Sequence, residues 1–264
     1  MKRDVSAHLR LGLSAPATLI FSVAAARGVP IATETITVTV DGTPVQPFEL
    51  IDVRGTRVHR IKTTGSELVF DYQAHIDGRA DSAPIDEMDL VEYLRPSRYC
   101  ESDTLLPTAA SDFAGLEGAA LLDAVSQWVN KKIVYAAGSS KGTDSALDTL
   151  LSRRGVCRDF AHLTTALLRA REVPARTVAV YAPGLSPMEF HAVTEAFVEG
   201  AWQVVDATWL APRTSLVRVA TGRDSADTAF LTNYGGNVTL NELEVTAVVD
   251  TLPTDDWRGP AQLG

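Results

Sequence analysis

Gly155-Val156-Cys157-Arg158-Asp159-Phe160-Ala161-His162 is the stretch on which the reading of this chain turns. Phe160, Ala161, Thr164, Leu167 and Leu168 follow at helical spacing, which predicts a helix that starts near Cys157 and stops before Pro174. A cysteine in the first turn of a helix meets unpaired backbone N–H groups and the positive end of the helix dipole. Both favour the thiolate, the nucleophilic form of the side chain. Gly155 is expected to let the chain turn sharply into the helix, and the Cys157 N–H to contribute to an oxyanion hole. Asp159 is expected to cap the helix start, its charge partly opposing thiolate formation. His162, about 140° round the helix from Cys157, reads as structural.

Downstream, apolar alternation predicts strands over 177–181, 191–198 and 202–206, and again over 242–249. His191 opens one of these strands and Asp206 closes the next. If Glu199-Gly200 is a two-residue hairpin turn, Asp206 faces Val193 and shares a sheet face with His191. The two are then diagonal neighbours, ~7–8 Å apart between backbones. A three-residue turn would put them on opposite faces. Alone, Cys157 reads as a core thiol, His191 as a satisfied structural histidine and Asp206 as a turn cap. Together, a thiol at a helix start and an imidazole beside a carboxylate on a sheet are what a Cys-His-Asp nucleophile system requires. Other strings carry less. Gly138–Thr143 lacks the order of a phosphate loop, and Gly184-Leu185-Ser186 lacks the second glycine of a nucleophile elbow. His191 and Glu195 sit four apart on a strand, too far from each other to chelate zinc.

Upstream, Val5, Ala7, Leu9, Leu11 and Leu13 alternate with less apolar residues, as do Leu68, Phe70, Tyr72, Ala74 and Ile76. Runs at 19–23 and 36–40 lie between them, the second ending in the turn pair Asp41-Gly42. An acidic stretch with Pro84 follows, then helical spacing over 121–133 and a short helix over 146–151 capped by Thr143 or Asp144. The expected division is a β-rich domain over 1–80, a linker over 81–95, a catalytic domain over 96–250 and a frayed tail over 251–264.

The whole chain has 264 residues, 45% apolar and 22% charged, which suits a globular protein of one or two domains. Its net charge of −9, without a Lys/Arg run, lacks the electrostatic footprint of a nucleic-acid binder. No run approaches the ~20 apolar residues of a membrane span. Met1-Lys2-Arg3 followed by an apolar stretch to Ala26 has the outline of an export signal. Gly12, Ser14, Pro16 and Thr18 interrupt it, however, and the alternation over 5–13 marks a strand instead. Two cysteines without a CxxC pair read as free thiols. These features point to the cytoplasm, with no nucleic-acid or membrane partner.

Gly155–His162 together with Pro174-Ala175-Arg176, Tyr181-Ala182-Pro183-Gly184, Phe190-His191-Ala192 and Trp202-xxx-Asp206-Ala207-Thr208 resembles the bacterial transglutaminase-like superfamily, over roughly residues 90–230. Tyr93–Tyr99 and Gly222-Arg223-Asp224 are similar to recurring blocks of the same branch. The resemblance implies an α+β fold, with an N-terminal antiparallel β-sandwich-like domain followed by a papain-like core in which a cysteine-bearing helix packs on an antiparallel sheet. It implies acyl transfer at peptide or isopeptide amides of a peptide or protein substrate, with Cys157, His191 and Asp206 as the catalytic group and no cofactor or metal. Hydrolysis is the expected outcome. Transfer to an amine, or a non-catalytic binding module that retains the triad, are the alternatives. Tyr135 is the candidate for the aromatic residue that completes the oxyanion hole in animal transglutaminases, and Trp128 reads as core packing.

Overall fold

Alternation of apolar side chains builds the first half of the molecule. In the computed structural model, which describes residues 1–263, β1 (Lys2–Leu13) buries Arg3, Val5, Ala7, Leu9, Leu11 and Leu13. After it come β2 (Ala17–Phe21), β3 (Ile31–Val40), β4 (Thr43–Pro44), β5 (Phe48–Ile51), β6 (Arg57–Thr63) and β7 (Glu67–Asp77). The second alternating run is the inward face of β7, where Leu68, Phe70, Tyr72, Ala74 and Ile76 are all buried. Strands β5 and β6 escape the periodicity argument because β5 is exposed throughout and β6 turns His59 inward where an apolar residue would be expected.

Helices dominate the middle: α1 (Glu87–Glu92), α2 (Leu106–Asp112), α3 (Gly118–Lys132), α4 (Ala146–Ser152) and α5 (Cys157–Ala170). Between them lie β8 (Val134–Tyr135) and β9 (Arg154–Gly155), a short parallel pair. The chain ends in β10 (Ala175–Tyr181), β11 (Phe190–Val198), β12 (Ala201–Val205), β13 (Val217–Gly222), α6 (Ser225–Thr228), β14 (Leu231–Gly235) and β15 (Val238–Val249). Ser145, not Thr143 or Asp144, is the N-cap of α4, its side chain accepting from the Asp148 N–H.

An antiparallel sheet in the order β12-β11-β10-β13 carries α5. Phe160, Leu163, Ala166, Leu167 and Leu168 of α5 share a core with Ala175, Ala196, Val198 and Val205 of the sheet and with Leu121, Leu122, Val125 and Val129 of α3. Each fully buried leucine there contributes about 1.5–3 kcal/mol relative to exposure. Val198 pairs with Ala201 and Thr194 with Val205, so the β11–β12 turn is the two residues Glu199 and Gly200. Both have positive φ, 53° and 79°, as a primed hairpin turn needs.

The C-terminal strands do not stay with the 96–250 segment. β14 pairs with β2, and β15 with β1, so the two remaining sheets run β14-β2-β6-β5 and β15-β1-β7-β3-β4. Both draw on the last part of the chain because antiparallel pairing specifies no sequence separation. The boundary at residue 80 is crossed by packing too. Tyr181, Val217, Val219 and Ala220 of the helix-bearing sheet lie in the core of the N-terminal strands, and the Tyr181 hydroxyl donates to Val23 O at 3.0 Å. Within the expected linker, α1 forms behind Asp86, whose carboxylate accepts from the Met88 N–H at 2.9 Å. The tail from Thr251 is pinned rather than frayed. Arg213 Nε donates to Asp255 at 2.9 Å, Trp257 stacks on Trp209, and the Val204 N–H donates to Ala261 O at 2.7 Å. A buried ion pair and an aromatic contact offset the disorder that its Pro/Gly/Asp composition implies.

Candidate active site

Local capping positions Cys157. The Val156 N–H donates to Asp159 Oδ2 at 2.7 Å, so Asp159 reaches back over the start of α5 and fixes Cys157 as its first residue. Gly155 is required for a different reason than a sharp turn. Its φ is not in the left-handed region, but a Cβ there would stand 2.6 Å from the Cβ of Asp159. Asp159 Oδ1 also accepts from the Ser140 hydroxyl at 2.9 Å, and Arg158 donates to Ser140 Oγ at 2.7 Å. Burial raises the Asp159 pKa against the pull of these bonds.

The Cys157 Sγ lies 4.0 Å from the Phe190 carbonyl oxygen, which places the thiol against the first residues of β11. His191 is buried in the next position, its Nε2 2.8 Å from Asp206 Oδ2. With Nε2 committed to Asp206, Nδ1 is the nitrogen left for the Cys157 thiol, whose neighbouring charge raises the pKa of the ring. Burial alone would lower the His191 pKa. The Asp206 carboxylate and the thiol overcome it and raise the value to about 10, so the ring favours the imidazolium. The diagonal arrangement expected of His191 and Asp206 is therefore the one present.

Thr208, quoted with the Asp206 block but given no role there, is a further member of the site. Its backbone N–H and its hydroxyl both donate to Asp206 Oδ1, at 2.9 and 2.7 Å, and thereby hold the other oxygen on His191. An Asp-x-Thr step is the available signal, since an Asp side chain commonly bonds the backbone two residues on.

Tyr135 pairs with Gly155 in the β8–β9 ladder, and its ring lies 5.9 Å from that of Phe160 in the first turn of α5. Burial, then the neighbouring thiol and Glu189, push its pKa up to about 12, so the hydroxyl keeps its proton as a donor. Trp128 packs edge-on against Phe113 at 6.0 Å and takes no part. His162 stacks on Tyr99 at 5.3 Å, accepts from the Ser225 N–H at 3.1 Å, and burial lowers its pKa to about 3. Glu195 lies between Arg176 and Arg218. Among the described residues no three His, Cys, Asp or Glu side chains are grouped to hold a metal ion. A cavity of about 620 Å³ opens elsewhere, between the N-terminal strands and the linker, with Arg27, Arg54 and Arg218 in its walls.

The two thiols are sharply distinguished. Cys100 is fully buried, and burial pushes its pKa up to about 12. Cys157 is partly exposed at a helix start. Brief, limiting iodoacetamide treatment near neutral pH is expected to label Cys157 and spare Cys100, as peptide mass spectrometry would read out. Preferential labelling of Cys100 would overturn the assignment of the reactive thiol.

Residues 114–207, which contain Cys157, His191 and Asp206, match the transglutaminase-like superfamily. The crystal structure of a candidate cysteine protease from Cytophaga hutchinsonii superposes with a TM-score of 0.89 at 35% identity, covering 100% of this chain and 96% of that one. An uncharacterized protein of Mycobacterium leprae is 29% identical over 182 residues, 64% of this chain. The match spans 63% of the length of that curated relative. No described helix is long and apolar enough to cross a membrane.

Proposed function

The chain belongs to the transglutaminase-like superfamily, a family of thiol-dependent enzymes, and from that membership we propose that it hydrolyses peptide or isopeptide amide bonds of protein substrates with Cys157, His191 and Asp206. The observation that carries the reading is the 2.8 Å bond from His191 Nε2 to Asp206, which leaves Nδ1 for a thiol at a helix start. The Cys157 thiolate attacks the amide carbonyl carbon. The oxyanion that forms is stabilised by the Cys157 N–H and the Tyr135 hydroxyl. His191 delivers its Nδ1 proton to the departing amine, leaving a thioester on Cys157. Water then attacks the thioester, gives its proton to His191 and releases the acid. Asp206 stabilises the imidazolium throughout and fixes which nitrogen faces the sulfur.

Hydrolysis is preferred over amine transfer because water always reaches an open thioester, whereas transfer needs a site for the amine. Operation in the cytosol is part of the proposal, supported by both cysteines being free thiols.

The chemistry is testable before any substrate is identified. A thiolate paired with the His191 imidazolium depends on that ring for its reactivity. His191→Ala should therefore slow alkylation of Cys157 by about 10-fold or more near neutral pH. Superimposable wild-type and His191→Ala rate profiles would mean that no thiolate–imidazolium pair exists. The binding-module reading would then replace the enzymatic one.

A further inference from the structure

The chain beside Cys157 exposes an unpaired strand edge. In the parallel ladder of β8 with β9, the Val134 N–H donates to Arg153 O and the Ala136 N–H to Gly155 O, each at 2.9 Å. Alternate residues of a ladder bond to the same neighbour, so the N–H and C=O of Tyr135 point the opposite way. No strand lies on that side among the described residues.

Exposed apolar side chains occur on the elements flanking this ladder. Val134 is 65% exposed and Leu151, near the end of α4, 73%. Across the thiol, Met188 is 42% exposed, two residues before the carbonyl that faces the sulfur. Outside the apolar rim, Lys132, Arg153 and Arg154 are exposed and form no ion pair among the described residues, in a chain whose net charge is −9.

We propose that this edge docks an extended, acidic and apolar segment of the protein substrate, paired through its main chain with Tyr135. A peptide group with a free donor and acceptor is matched by the free peptide groups of an extended chain, the recognition used when a segment adds to a sheet edge. Side chains of such a segment alternate, so every second residue falls on the face of the ladder that carries Val134. The cations Lys132, Arg153 and Arg154 complement carboxylates on the segment and steer its approach. Because Tyr135 pairs with Gly155, two residues before Cys157, pairing at Tyr135 brings the segment's amides near the sulfur. The inference rests on the amide chemistry proposed for Cys157 and adds the class of substrate: a flexible loop or chain terminus rather than a folded surface.

The test uses the whole protein and measures how far a synthetic peptide slows iodoacetamide alkylation of Cys157. The probe is a decapeptide-scale sequence with glutamine flanked by leucine and glutamate. Its controls are analogues N-methylated at one amide at a time, and an analogue with lysine for glutamate. The acidic peptide is expected to protect. N-methylation at one position should raise the half-protecting concentration about 3- to 10-fold, as loss of a single main-chain bond would. Exchange of glutamate for lysine should weaken protection several-fold at low salt, with the difference shrinking as salt screens it. Arg154→Glu should reverse the preference between the two peptides, each rate being divided by the peptide-free rate of the same variant.

Protection that ignores every N-methyl group, protection equal for the acidic and basic peptides, or no protection at all would overturn the docking proposal. Failure of the thiol chemistry reads out separately, as peptide-free alkylation that does not depend on His191.

Discussion

Cys157→Ala and His191→Ala are each expected to remove amide turnover, by on the order of 10⁶-fold in kcat, while Asp206→Asn leaves a rate roughly 10⁴-fold below the parent. The inequality follows from what each group does. In the proposed mechanism Cys157 forms and breaks the bond to carbon and His191 moves the proton, whereas Asp206 orients and charges the ring through its 2.8 Å contact. Members of such a unit are strongly non-additive, so Cys157→Ala combined with Asp206→Asn should be no slower than Cys157→Ala alone. Turnover of peptide and isopeptide libraries followed by mass spectrometry measures all four proteins on one scale. Turnover retained by Cys157→Ala would remove the thiol from the mechanism.

The largest expected effect on stability lies away from the thiol. Glu195 is buried, accepting from Arg176 Nε at 2.9 Å and from Arg218 at 2.8 Å, and the Arg176 guanidinium stands 3.9 Å over the Trp202 ring. Glu195→Gln leaves two guanidinium groups without their shared counter-charge, one of them deeply buried. Removing one partner of a buried pair costs about 3–5 kcal/mol, which urea unfolding would detect as a lower midpoint. Burial would raise the Glu195 pKa, but the two arginines lower it from 4.5 to about 2. Its stabilisation is therefore complete above pH 4.5 and is lost as pH falls towards 2. The variant should lose this part of the acid-limb dependence. An unfolding midpoint equal to that of the parent would show that the carboxylate contributes little.

The parts of the fold legible in the sequence are those with a local cause. Period-two burial made β1 and β7 visible, and helical spacing ending at Pro174 made α5 visible. The placement of His191 beside Asp206 followed from one local choice, the Glu199-Gly200 turn, because a two-residue hairpin leaves a single register. The role of Thr208 was hidden because the Asp-x-Thr bond depends on a conformation rather than on a hydrophobic pattern. Ser140 was hidden because the bond that joins it to Asp159 spans 19 residues. Gly155 was legible as a special position but not for its actual reason, which is the closeness of the Asp159 side chain. The ordering of the tail also depends on distant partners, Arg213 and Trp209, that its own composition does not reveal.

The pairing of β1 with β15 sets the order in which the molecule can be built. Val5 lies between Ala74 on one side and Ala247 on the other, so β1 waits for the much later β15 to complete its ladder. The α5 helix and the β10–β12 strands have their partners close behind them and can assemble while the chain is still being made. Until β15 arrives, the growing chain carries an unpaired β1 edge alongside an already folded helical part. Closure through contacts of such long sequence separation is slow and exposes the intermediate to mispairing. Synthesis rate and chaperone access between the making of β1 and of β15 should therefore govern the yield of folded protein more than the stability of the finished sheets does.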